Sequence, residues 1–123
     1  MHLADLTCRF PWGVLLVTDA DSTELIPQWT SDDEQVTAAG SALVVRVMSD
    51  IGGDVDVHVV NNEEETTGTR VFSGRLSVPS KILKVSDALG ERSASVALNR
   101  ENIAVEVFLD KPSEATSVSL LLR

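Results

Sequence analysis

The chain has no tyrosine, one cysteine and two histidines in 123 residues. Each shortage removes a kind of chemistry. Cys8 alone cannot form an intrachain disulfide, and an unpaired thiol suits a reducing compartment, so a cytoplasmic protein is expected. Cys8 itself reads as a small buried hydrophobe and not as a reactive thiolate. With His2 next to a terminus and His58 on a polar strand face, chain order offers no Ser-His-Asp or Cys-His pairing, and no enzyme is expected. Glycines are few and, apart from Gly52-Gly53, stand singly, so no loop resembles a phosphate cradle. No stretch approaches the roughly 18 apolar residues that cross a bilayer. The first residues have neither the basic start nor the apolar run of a secretion signal.

Basic residues are also scarce. Ten Lys+Arg stand against 19 Asp+Glu, a net charge of −9, with a pI near 4.5. Such a surface repels nucleic-acid phosphates and anionic lipid heads while drawing in basic proteins. The expected partner is therefore a basic protein, with no nucleic acid and no membrane.

What the chain does have is length for a core and a period of two. At 43% hydrophobic, 123 residues can bury a core without metal or disulfide staples, and a single domain over 1–123 is expected. A period of two places Leu43, Val45 and Val47 on one face of a strand, and Val55, Val57 and Val59 repeat the device, which marks two half-buried strands. The intervening Ile51-Gly52-Gly53 predicts a hairpin with a three-residue loop, setting Val47 against Val57 and Arg46 against His58. Further strands are predicted over 3–9, 12–18, 69–78, 81–85, 93–98, 103–109 and 116–122, with Pro79 ending the third of these because it cannot donate to a ladder. Alternation buries Phe72, Leu76 and Val78 and turns Phe108 away from the face of Val105, Val107 and Leu109. Eight or nine short strands at about ten-residue spacing predict an all-β fold, an antiparallel β-sandwich.

Ser31-Asp32-Asp33-Glu34 has the form of a capping box, with Ser31 and Glu34 exchanging bonds and the acids in the first turn, and Gly40 closing the element. It predicts one short helical turn near residues 31–39. Trp29 immediately before it has the character of a contact hot spot, so Trp29, Asp32, Asp33 and Glu34 are the first candidate partner-binding residues. The polar run from Asn61 to Gly68 reads as a solvated loop, whose Glu63, Glu64 and Glu65 are the second. Trp12 and Phe108 are the other aromatic candidates.

No metal or cofactor site is expected. Asp19-Ala20-Asp21-Ser22-Thr23-Glu24 begins like a calcium loop, but Glu24 occupies the position that needs glycine and Thr30 the position of the bidentate glutamate. Asp54, Asp56 and His58 line one strand face at alternate positions, where a divalent ion or an acid-base pair is conceivable; a solvated face, with Arg46 pairing Asp56 on the diagonal, is the simpler reading. A calcium- or ligand-binding module and a self-associating structural subunit remain as alternatives to a protein-binding role.

The order of Leu15-Leu16-Val17, Pro27-Gln28-Trp29-Thr30, the acids that follow, Ala39-Gly40-Ser41-Ala42 and Phe72-Ser73-Gly74-Arg75-Leu76-Ser77-Val78-Pro79 resembles the competence protein J family. These are small bacterial proteins that include inhibitors of the nuclease of DNA uptake. The resemblance runs from about Val14 to Leu122. It implies a non-catalytic, inhibitor or immunity-like protein whose acidic surface occupies the basic groove with which a nuclease holds DNA.

Overall fold

The computed structural model describes residues 2–21 and 34–123. Ten strands are present among them: β1 (His2–Cys8), β2 (Val14–Asp19), β3 (Val36–Ala38), β4 (Ala42–Arg46), β5 (Val55–Val60), β6 (Thr69–Ser77), β7 (Ile82–Asp87), β8 (Ser93–Ala97), β9 (Asn102–Leu109) and β10 (Ser117–Leu122). They form two five-stranded sheets, ordered β1-β5-β10-β9-β6 and β3-β4-β2-β7-β8. The fold is a β-sandwich, as the alternation predicts. None of the described residues forms a helix long and apolar enough to cross a membrane.

The core lies between the sheets and draws on both. One sheet gives it Leu15, Val17, Leu43, Val45, Leu83 and Val85; the other gives Val55, Val57, Val59, Val105, Val107, Val118 and Leu120, all at most 1% exposed. These are the inward positions of period-two strands, rich in β-branched side chains that suit a pleated surface. Phe10, fully buried, plugs the end where β1 crosses to β2.

The chain passes between sheets at four places. Residues 9–13 and 47–54 cross at one end, called here the first end, and 78–81 and 98–101 cross at the opposite end. The predicted hairpin between β4 and β5 is therefore corrected. Arg46 faces Val14 on β2, whereas His58 faces Asp5 on β1, in different sheets. The valines do share the core, but they meet across it and not along a ladder. The diagonal pairing of Arg46 with Asp56 falls with the hairpin.

Two further corrections follow. Val36–Ala38 is a strand paired to β4, Val36 against Val45 and Ala38 against Leu43, where a helical turn over 31–39 is predicted. Residues 31–33, with the proposed cap, lie outside the described residues. The sandwich is also not wholly antiparallel, because β5 and β10 pair in parallel.

That parallel pair fixes the path of the Asn61 to Gly68 run. β5, β10 and β6 all point one way, so the chain leaves β5 at the opposite end and must return to the first end to begin β6. It does so over the outer side of its sheet, through a 3-10 turn at Glu63–Glu65, with the Thr67 amide donating to Ser119 Oγ at 3.2 Å. Val60, Glu106, Ser119 and Leu121 point away from the core by alternation and are nonetheless buried. The run predicted as a free loop is thus a cover for a second, small buried layer.

Candidate partner-binding surface

Four connections meet at the first end: residues 9–13, residues 47–54, the β7–β8 turn and the β9–β10 loop. Local bonds hold them. Arg9 Nη1 donates to the Asp50 carbonyl at 2.9 Å, and Arg9 Nε lies 4.0 Å from Asp54. The Val47 amide donates to the Gly13 carbonyl at 2.9 Å. Asp110 closes the β9–β10 loop by accepting from the Thr116 and Ser117 amides and from Thr116 Oγ1 at 2.6 Å.

Pro11–Gly13 is a 3-10 turn in which Trp12 takes a φ of 60° and Gly13 a φ of 67°. For Gly13 this is inexpensive, and no other residue fits, since a Cβ there would strike the Val47 carbonyl oxygen. For Trp12 the left-handed conformation costs about 1–2 kcal/mol. Its side chain is nonetheless 72% exposed. Ile51, on the neighbouring 47–54 connection, is 91% exposed, and Leu89 on the β7–β8 turn is 53% exposed. Alternation identifies core faces; it carries no signal for apolar groups left on turns, and of these three only Trp12 is a sequence candidate.

The residues predicted to bind a partner fall in two separate places or outside the described residues. Trp29, Asp32 and Asp33 lie outside the described residues. Glu34 is half-buried just ahead of β3, at the first end, where the next residue's carbonyl accepts from the Arg46 amide at 2.8 Å. Glu63, Glu64 and Glu65 ride on the cover of the other sheet. Glu63 reaches Arg123 Nη2 at 3.4 Å, the Glu64 amide is capped by Asn62 Oδ1 at 3.0 Å, and Glu65 is half-buried. The structure does not bring Glu34 and the Glu63–Glu65 turn together; they belong to opposite sheets.

Glu106, beneath that cover, is held by two arginines. Oε1 accepts from Arg70 Nη1 and Oε2 from Arg123 Nε, each at 2.8 Å. The two arginine hydrogen bonds keep its carboxyl below the usual range, against the opposing effect of burial, and the same contact raises Arg123.

The face of Asp54, Asp56 and His58 resolves into separate pairs. Asp56 Oδ1 accepts from Thr7 Oγ1 at 2.7 Å, and His58 Nδ1 lies 2.6 Å from Asp5 Oδ1. His58 also stands in register with Ser119 on β10. Asp5, His58 and Ser119 therefore form a row across three strands that chain order conceals. The row has the order of a nucleophilic triad but not its access, since Ser119 is 1% exposed and its Oγ is taken up by Thr67. Burial pushes the Cys8 thiol above its ordinary range, and Asp87 adds to the effect, which makes it a buried hydrophobe as the sequence suggests. Among the described residues, no three His, Cys, Asp or Glu side chains gather to hold a metal ion.

The fold as a whole has a solved counterpart. It is similar to the crystal structure of ComJ from Bacillus subtilis, an inhibitor of the DNA degrading activity of NucA. The two superpose with a TM-score of 0.75 over 99% of this chain and 96% of that one, at 13% sequence identity. No protein-family model and no curated protein sequence matches the chain.

Proposed function

We propose that this protein is a non-catalytic acidic binding protein that inhibits a nuclease by occupying the basic surface with which the nuclease grips DNA. The observation that carries the reading is the end-to-end likeness of fold to an inhibitor of a DNA-degrading enzyme, joined to a net charge of −9 in this chain. A DNA-binding groove must be basic to neutralise phosphates, and an acidic protein competes for it without sequence recognition. The core between the sheets is closed, and Ser119, the hydroxyl in register with His58, is buried at 1% exposure. Trp29, Asp32, Asp33 and Glu34 are the proposed first contacts, with Glu63, Glu64 and Glu65 second. The unpaired, buried Cys8 fits action in the cytoplasm.

The test is DNA cleavage by NucA in the presence of the purified protein, with binding measured by calorimetry at low and high salt. Inhibition near stoichiometry is expected, with affinity falling steeply as salt screens the opposed charges. Undiminished cleavage at a large molar excess, or an affinity indifferent to salt, would sink the reading.

A further inference from the structure

We infer that the recognising surface is the first end of the sandwich, with Trp12 as its anchor, Ile51 and Leu89 beside it, and a basic protein as its occupant. The inference rests on the inhibitor reading and adds where the partner sits. Among the described residues the large apolar side chains left exposed are Trp12, Ile51, Leu89 and Ile82, and the first three share one end. Single exposed apolar groups are ordinary on protein surfaces; three on adjoining turns around a tryptophan have the composition of an interface centre.

The backbone gives an independent argument. Trp12 is held left-handed at a φ of 60° while keeping 72% of its surface in water. The fold gains neither buried area from the indole nor an easier turn, for which glycine would serve better. A bulky residue in that position contributes to something outside the fold. The support is rigid: Pro11 fixes the turn, Gly13 closes against Val47, and Arg9 ties it to Asp50 and Asp54. An anchor on such a support loses little freedom on binding.

The surrounding charge selects the occupant. Asp50, Asp54, Glu91, Asp110 and Glu114 stand on the connections of this end against Arg9, Arg92 and Lys111, a net acidic rim, and Arg9, the cation nearest Trp12 in the chain, is engaged by Asp54 and the Asp50 carbonyl. A second copy of the chain would bring another net charge of −9 against this end. A basic protein with an apolar pocket in its binding groove meets both the indole and its acidic rim.

Trp12→Gly separates recognition from folding, because it removes the indole while relaxing the left-handed backbone. Thermal melting, calorimetry against NucA and analytical sedimentation are measured on the full chain and on Trp12→Gly, Ile51→Ser and Ile82→Ser. Trp12→Gly is expected to melt no lower than the parent yet bind NucA about thirty-fold more weakly, and Ile51→Ser about ten-fold more weakly. Ile82→Ser, at the opposite end, should bind unchanged. If the parent binds and inhibits NucA but Trp12→Gly binds equally well, the surface is wrong and the inhibitor reading stands. If the parent does not bind NucA at all, both fall. Concentration-dependent association of the parent that Trp12→Gly abolishes would assign the patch to a second copy and overturn the proposal.

Discussion

Asp19 Oδ1 accepts two hydrogen bonds from Ser80, from the amide at 2.9 Å and from the hydroxyl at 2.6 Å, while Oδ2 accepts the Asp21 amide at 3.1 Å. The residue that opens the would-be calcium loop is thus a structural clasp, joining the last residue of β2 to the crossing between β6 and β7. Asp19 is only 4% exposed, so its removal leaves the Ser80 and Asp21 amides without an acceptor. Asp19→Ala should lower the unfolding free energy by about 2–3 kcal/mol, and Ser80→Ala by about 1 kcal/mol because the amide bond survives. Urea unfolding of both variants checks the ranking, and equal losses would contradict it.

Acid should weaken the fold through three carboxylates. Burial pushes Asp19 upward, but the hydroxyl and amide bonds from Ser80 and the amide of Asp21 more than offset it. Asp110 is likewise lowered, burial being outweighed by Thr116 and Ser117, and Glu106 is lowered by its two arginines. A carboxylate whose folded pKa lies below its unfolded one stabilises the fold above the unfolded value, about pH 4, and that stability is lost as pH falls through the folded value. Urea midpoints should therefore hold steady from neutral pH down to about 5 and drop below about 4. Asp19→Asn, which carries no charge to lose, should flatten part of that drop. A midpoint that rises on acidification would refute the assignment.

The cover over the outer side of the β5, β10 and β9 strands ends in a glycine that cannot be replaced. Gly68 has a φ of 90°, and a Cβ there would run into the Leu109 carbonyl oxygen. Gly68→Ala must either strain the left-handed backbone or lift the 61–68 segment from Glu106 and Ser119. The expected cost is about 2 kcal/mol. Hydrogen exchange distinguishes this from a loop at a solvated tip: the Thr67 amide, bonded to Ser119, should be protected in the parent and exchange faster in Gly68→Ala. Rapid exchange of Thr67 in both would return the segment to the free loop that its charge suggests.

These contrasts show what periodicity can and cannot carry. Alternation places Val45, Val47, Val55 and Val57 on the core side because a strand's two faces differ whatever its neighbours. It is silent on which strand lies alongside, so Gly52-Gly53 reads as a hairpin when residues 47–54 in fact carry the chain from one sheet to the other. Val36–Ala38 escapes detection because three residues are too few to show a period, and the capping signal just before them points elsewhere. The Asp5, His58, Ser119 row and the Trp12, Ile51, Leu89 cluster are products of register and topology. No spacing along the chain links residues 5, 58 and 119, or 12, 51 and 89.

The two acidic groups can be told apart by kinetics. Asp32→Asn with Asp33→Asn and Glu34→Gln removes three charges, and so does the replacement of Glu63, Glu64 and Glu65 by glutamine. Long-range steering depends on total charge, so both triple variants should associate with NucA several-fold more slowly at low salt, and the difference from the parent should vanish at high salt. Dissociation depends on groups within the contact. Glu34 lies at the same end as Trp12, whereas Glu63 is paired to Arg123 on the cover of the opposite sheet. The first triple variant should therefore also dissociate about ten-fold faster, and the second at the parental rate. Surface-plasmon measurements across a salt series resolve the two rates. Faster dissociation of the Glu63–Glu65 variant alone would move the contact to the 61–68 cover and away from the end that carries the exposed indole.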